Sequence, residues 1–312
     1  MDGNGSLPVA GAAATVPAMN LMGVDDERDT HRTTVDGTVI AYRTTGTGPP
    51  VLLLHGWPQT GTAWRKVVPL IADRHTVVVP DLPGFGASSR PADGYRKTEV
   101  ADRLHALMTR LGHPRYDVAG HDVGGQVCYP LAARRPAAVR SVALVEAGVP
   151  GLGDSLAAAN PLTGGSWHFG FNMVPDLPEL LITGRERDYL RAILLRDSIG
   201  LAVPGAIDDG VLDHYADALA APGGIRGAMG HYRALPDDIA DNRELAARGR
   251  VTAPVLLVGA REGVGLGWRD TVDEAFEQVS TREIAGCGHY LPEERPAELA
   301  ALLLAHWSAV AA

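Results

Sequence analysis

Asp122 is the residue whose surroundings argue hardest for chemistry. It stands in Val118-Ala119-Gly120-His121-Asp122-Val123-Gly124-Gly125, an apolar run that meets a glycine-flanked turn and then a helical stretch, Gln126–Arg135. This is the strand–turn–helix layout of the G-x-S-x-G nucleophile elbow, with aspartate where serine would stand. The glycines let the backbone pass close to itself, and the turn lifts the central side chain to the helix N-terminus, where the dipole favours a carboxylate. An aspartate at that place also serves as an ordinary helix cap, so the motif needs company.

It has company. Val51–Leu54 runs into His55-Gly56-Trp57-Pro58, a turn able to aim a backbone N–H at the elbow. Pro80-Asp81-Leu82-Pro83-Gly84-Phe85-Gly86-Ala87-Ser88 follows the next apolar run. Near the C-terminus, Ala285-Gly286-Cys287-Gly288-His289-Tyr290-Leu291-Pro292-Glu293 carries a histidine on a glycine-hinged loop. Eleven histidines are present, so most must be structural. His289 differs by position: it comes last, after the nucleophile, where the chain order of elbow sites puts the base.

The elements that must position these residues alternate. Thr38–Arg43, after the turn-like Asp36-Gly37, reads as the second arm of a hairpin. Val51–Leu54, Thr76–Val79, Tyr116–Ala119, Ser141–Val145 and Pro254–Val258 are short runs apolar on both faces, as buried parallel strands require. Val100, Leu104, Leu107 and Leu111 share one helix face, and Leu299, Leu302, Leu303 and His306 close the chain in the same way. The alternation predicts a mostly parallel sheet flanked by helices, an α/β fold. It breaks from about Gly151 to Arg250, where helical patches such as Arg187–Leu195 and Val211–Leu219 replace strands. An insertion there is placed to roof the strand ends where ligands bind. The expected organisation is an N-terminal arm over 1–30, a core over 31–150 and 251–312, and a helical cap over 151–250.

Composition removes several classes. With 28 Lys+Arg against 37 Asp+Glu the net charge is −9, a poor balance for nucleic acid or an anionic membrane. There is no run of about 18 apolar residues to span a bilayer. The mildly apolar Leu7–Val24 is broken by Pro8, Pro17 and Asn20 and follows an acidic start, Asp2, so it reads as a flexible arm rather than a secretory signal. Two cysteines, Cys128 and Cys287, make no disulfide framework, which points to a reducing compartment and a cytoplasmic location. No phosphate loop, dinucleotide fingerprint, His-Glu-x-x-His or cysteine cluster of metal spacing occurs, and no Gly-x-Ser-x-Gly either. A member of such a fold that only binds should have lost the nucleophile, the base or the acid.

His-Gly-Trp-Pro at 55–58, Asp-Leu-Pro-Gly-Phe-Gly-x-Ser at 81–88, Gly-His-Asp-x-Gly-Gly at 120–125 and Gly-x-Gly-His-x-x-Pro-Glu-Glu at 286–294 occur in this order. Together they resemble the α/β-hydrolase superfamily in its aspartate-nucleophile branch, the epoxide hydrolases and haloalkane or haloacetate dehalogenases, over roughly Val35 to Trp307. The resemblance implies the α/β-hydrolase fold with a helical cap. It also implies a cofactor-free and metal-free reaction in which Asp122 forms an alkyl ester that a His289-activated water cleaves. Relatives place the acid that orients the histidine after one of two strands. That leaves Glu146, 24 residues after Asp122, as the favoured candidate and Glu262 as the alternative. The backbone N–H groups of Trp57 and Val123 would hold the oxyanion.

The leaving group separates the branch members. Epoxide hydrolases use hydrogen-bond donors on the cap, and a subgroup resembles a histidine–tyrosine pair, matched here by His168 and Tyr232. Trp167 and His231 are their neighbours and alternatives, and Phe169 stands where haloacetate dehalogenases carry a tryptophan. Those dehalogenases carry arginines after the nucleophile, where this chain has Val123 and Gln126, so a small anionic substrate lacks a clamp. The expectation is an epoxide hydrolase acting on an apolar small-molecule epoxide, bulky or compact, with a dehalogenase as the alternative. A homodimer is left open.

Overall fold

A segment apolar on both faces is satisfied only inside a sheet covered on both sides, and such segments form the middle of this molecule. The structure, a computed structural model, describes residues 30–153, 167–195 and 200–311. Its strands are β1 (His31–Val35), β2 (Thr38–Thr45), β3 (Pro50–Leu54), β4 (Thr76–Pro80), β5 (Tyr116–His121), β6 (Val139–Val145), β7 (Val255–Ala260) and β8 (Val279–Ile284). They form one sheet in the order β1-β2-β4-β3-β5-β6-β7-β8. β1 and β2 pair antiparallel, as do β2 and β4; the other neighbours are parallel. The hairpin turn is Asp36-Gly37 with φ of 47° and 75°, the double positive φ that suits a two-residue turn.

Side chains alternate between two apolar layers. Leu52, Leu54, Val118, Val142 and Leu144 face one layer with Val100, Leu104 and Leu107 of α2 (Lys97–Arg110) and with α3 (Val123–Arg134). Val51, Leu53, Ala119, Ala143 and Val145 face the other, with Ile71 of α1 (Val68–Ile71) and Leu299 and Leu303 of α12 (Pro296–Ala311). Leu111 lies one residue past α2 and is partly buried.

Between β6 and β7 the described residues carry helices and no strand. These are α4 (Trp167–Met173), α5 (Leu177–Ile182), α6 (Glu186–Leu194), α7 (Asp209–Ala220), α8 (Gly224–Arg233) and α9 (Leu235–Ala247). Buried pairs fasten them to the rest. Lys97 Nζ meets Asp238 Oδ2 of α9 at 2.7 Å, and Tyr215 of α7 donates to Glu293 at 2.8 Å in α11 (Leu291–Glu294). The last helix before β8 is α10 (Arg269–Ala275).

β8 carries no apolar run because it is the sheet's edge: Ser280, Arg282 and Glu283 are exposed and only Ile284 is buried. The expected arm over 1–30 lies outside the described residues except for Thr30. No helix among the described residues is long and apolar enough to cross a membrane.

Candidate active site

β5 ends in His121, and the chain turns at Asp122 with φ 49° and ψ −119°, a region that non-glycine residues seldom adopt. Close packing forces the turn. A Cβ on Gly120 would lie 2.4 Å from the Gly124 backbone, and one on Gly125 would lie 2.3 Å from the Ala147 Cβ. Asp122 flanks α3 yet makes no capping hydrogen bond to it. Instead its Oδ1 accepts the Trp57 N–H at 2.8 Å, and the Val123 N–H holds the carboxylate as well. The two backbone donors expected from sequence thus converge on one carboxyl group. Gly56 makes the approach possible, since a Cβ there would sit 2.6 Å from the Asp122 Cβ.

His289 completes the contact from the loop after β8. Its Nε2 lies 3.5 Å from Asp122 Oδ2, and its Nδ1 lies 3.1 Å from Glu146 Oε2. Glu146 follows β6 with φ 48° and is fully buried. Its Oε1 accepts from Ala260 N at 2.6 Å and Gly265 N at 3.0 Å, and its Oε2 from Val264 N at 2.8 Å. Glu262, the alternative, is exposed and accepts from Cys287 N at 3.1 Å. The structure therefore brings Glu146 to the imidazole and sets Glu262 on the Cys287 N–H instead.

The charges reinforce one another. Burial would push the Asp122 carboxyl up, but the His289 hydrogen bond and charge, with His121 and the Val123 N–H, hold it well below the usual carboxylate range. Burial would push His289 down, but the Asp122 and Glu146 carboxylates outweigh it and raise it to about 9. An imidazolium between two carboxylates is the resting arrangement near neutral pH.

His121 lies beyond what the sequence reading singled out. Burial, with the nearby His289 charge, pushes it down to about 3, so the ring is neutral. Its Nε2 bonds the His289 carbonyl at 2.8 Å and is therefore the donor, and the two ring centroids are 4.9 Å apart. The available signal was its place beside Asp122; its ring is closely packed, since a Cβ on Gly56 would come within 2.8 Å of its Nδ1.

Above the elbow the helices contribute rings. His168 on α4 stacks on Trp57 with centroids 6.0 Å apart, and Tyr232 on α8 meets Trp57 edge-on at 5.4 Å. His168 and Tyr232 are 5.8 Å apart, and Phe169 packs on both, at 4.8 Å and 5.2 Å. Phe169 also walls an apolar cavity of about 200 Å³ with Pro150, Met173, Leu235 and Ile239. The structure turns His231 away from this cluster and leaves Trp167 at its edge. His231 turns to the loop after β4, with Nε2 2.8 Å from the Pro83 carbonyl and its ring against Phe85 and Tyr95. Trp167 is 40% exposed and touches the His168 and Phe171 rings. Among the described residues no cluster of His, Cys, Asp and Glu is placed to hold a metal ion.

A parallel sheet whose strand ends carry an elbow, a histidine loop and a buried acid defines a class, and comparison with known proteins agrees. The family model described as alpha/beta hydrolase fold matches residues 49–296, and the chain belongs to that family. A soluble epoxide hydrolase of Corynebacterium sp. (strain C12) is 32% identical over 271 residues, 85% of this chain and 92% of that protein. A fluoroacetate dehalogenase of Burkholderia sp. is 32% identical over 229 residues, 70% of this chain and 73% of that one. Among solved structures, Cfl2 of Burkholderia cenocepacia superposes with a TM-score of 0.84 at 40% identity, covering 88% of this chain and 94% of that chain. The chain is a hydrolase of the alpha/beta family.

Proposed function

We propose that this chain is an epoxide hydrolase working through a covalent ester on Asp122, with residues 151–250 as a cap over the site. The observation that carries this reading is an ionised, partly exposed carboxylate at the elbow, gripped by the Trp57 N–H at 2.8 Å and backed by the His289–Glu146 pair at 3.1 Å. A carboxylate nucleophile suits attack on an sp³ carbon. An Asp122 oxygen attacks an oxirane carbon, the carbon–oxygen bond breaks, and the oxygen takes a proton from Tyr232, with His168 as second donor. A hydroxyalkyl ester and a tyrosinate result.

Ester formation removes the Asp122 charge. One of the two carboxylates that raise His289 to about 9 is then gone, so the imidazolium becomes easier to deprotonate and releases its resting proton to solvent. His289 accepts a proton from water and the hydroxyl attacks the Asp122 carbonyl carbon. The oxyanion sits on the Trp57 and Val123 N–H groups. Collapse expels the second diol oxygen, which takes one of the water's protons; the other returns to Tyr232, Asp122 is a carboxylate again, and His289 regains its resting proton from solvent.

A second reading has its own observation. The Trp57 indole N–H is buried without a hydrogen-bond partner among the described residues, and such a donor could receive a departing halide. The same Asp122 ester would then come from a carbon–halogen bond.

Intact mass of His289→Gln, incubated separately with aryl epoxides and with haloalkanes, tests both. Without the base the ester should stay on Asp122. A gain equal to the whole epoxide, absent when Asp122 is also changed, is the expected result. A gain of the alkyl fragment alone, from the halide, would replace the first reading with the second. No adduct from either would reject both.

A further inference from the structure

The loop that carries His289 is tied to the inserted region through a carboxylate that neither the elbow nor the triad uses. Glu294 is 5% exposed, and all its hydrogen bonds in this neighbourhood go to backbone N–H groups. Its Oε2 accepts from Ala202 and Val203, both at 2.8 Å, and from Gly288 at 2.9 Å; its Oε1 accepts from Tyr290 at 3.1 Å. Gly288 and Tyr290 flank His289. Ala202 and Val203 belong to the segment between α6 and α7, far away in sequence.

The remaining backbone groups of His289 are tied as well. Its N–H donates to the Gly200 carbonyl at 3.1 Å, and its carbonyl accepts from His121 at 2.8 Å. The two segments also fit with no room to spare. A Cβ on Gly288 would lie 2.1 Å from the Gly200 carbonyl oxygen and 2.9 Å from the Ala202 nitrogen. Four N–H groups converging on one buried side chain need the lone pairs of an ionised carboxylate. A glutamine, with one acceptor oxygen and an NH₂ that donates, cannot take them.

We infer that Glu294 is a positioning residue: it clamps Gly200–Val203 of the inserted region onto the His289 loop, so that the imidazole is aimed at Asp122 only when that segment is seated. The inference rests on the role proposed for His289. Ring placement is the vulnerable quantity, because the imidazole must meet Glu146 at 3.1 Å on one side and Asp122 at 3.5 Å on the other. A shift of about 1 Å at a reacting group costs roughly 100-fold in rate.

His289 acts only in the second half of the proposed reaction, so the effect should be confined there. The test compares wild type, Glu294→Gln, Gly288→Ala and His289→Gln in single turnovers with styrene oxide, following the Asp122 adduct by intact mass. Hydrogen exchange of the amides at 200–203 and 288–290 is measured on the same samples. Glu294→Gln should form the adduct within about twofold of the wild-type rate and hydrolyse it ~10–100-fold more slowly, so that ester accumulates. Both amide segments should lose protection together. Gly288→Ala disturbs the same junction sterically, with Glu294 intact, and should reproduce both effects.

A Glu294→Gln protein that melts earlier but keeps the wild-type ratio of the two steps would overturn the inference. So would loss of protection in one segment alone. If not even His289→Gln retains an adduct, the epoxide reading has failed. The clamp is then judged by exchange, and unchanged protection in Glu294→Gln would dismiss it too.

Discussion

The two halves of the site are built from different forces. Below, at the strand ends, Asp122 and Glu146 sit in backbone conformations with φ near +50° and are held by N–H groups of Trp57, Val123, Ala260, Val264 and Gly265. These are short, directional, charge-assisted bonds. Above, His168, Phe169 and Tyr232 meet one another and Trp57 through ring contacts of 4.8–6.0 Å. Ring packing is strong in sum but tolerant of small slides and of substitutions that keep shape. On the proposed reading, the lower half therefore fixes where an ester forms and is cleaved. The upper half, on the proposed reading, decides which leaving group is helped and can diverge without disturbing the lower one.

The largest effect that would test this contrast is at Asp122. Asp122→Ala should abolish diol formation, a loss of about 10⁴–10⁶-fold on the precedent of other catalytic triads, with the circular dichroism of a folded protein retained. Measurable diol from a clean sample would remove the lower half from the mechanism altogether. Next come the two acids. Glu146→Gln should lower kcat by roughly 10³–10⁴-fold, because an orienting acid also sets the tautomer of its histidine. Glu262→Gln, at an exposed loop carboxylate, should stay within about twofold. The reverse pattern would hand the orienting role to Glu262.

The upper half is addressed by Tyr232→Phe, which keeps the ring on Trp57 and removes only the hydroxyl. With an epoxide, kcat should fall by about 10²–10³-fold, the usual cost of one donor at a developing oxyanion, and the melting temperature should change little. Unchanged kcat would mean that Tyr232 only packs, and that the contrast between the halves has been drawn in the wrong place.

How much of this was legible in the sequence follows from the same contrast. Asp122 lies in a short motif whose glycines answer to contacts within a few residues or across neighbouring strands, and His289 follows it in chain order, so local reading reaches them; the structure brings the pair to 3.5 Å. Glu146 and Glu262 follow β6 and β7, neighbours in the sheet, and spacing alone could rank them but not separate them. What separates them is burial and the three backbone amides that converge on Glu146 from the β7 end. Strand β8 left no apolar run because an edge strand buries little. The upper half was the least legible. Whether Tyr232 or His231 faces Trp57 depends on the rotation of α8, and that is set by His231 docking on Pro83 and Phe85, contacts far away in sequence. Glu294 was legible only as the last residue of the motif at 286–294; its contacts were not, since its partners are main-chain groups that any residue type supplies.

The smallest effect expected is in stability against pH, and it carries opposite signs in the two halves. His289, in the lower half, is raised to about 9 from an ordinary value of about 6.5. A basic group with a raised folded pKa contributes stability that is fully present below about 6.5 and is lost as pH climbs through about 9. His231, in the upper half, is pushed down to about 3 by burial and then by the Lys97 charge, and the buried lysine is fixed by its bonds to Asp238 and the His231 carbonyl. A histidine buried neutral costs stability as pH falls below about 6.5, because the unfolded chain takes up the proton first. Urea unfolding at pH 5, 7 and 10 should therefore show the wild-type advantage over His289→Gln shrinking between pH 7 and 10. The advantage over His231→Gln should instead shrink between pH 7 and 5. Parallel pH curves for wild type and His289→Gln would mean that the imidazole is not clasped between two carboxylates. The switch in its basicity on ester formation would then lose its physical cause.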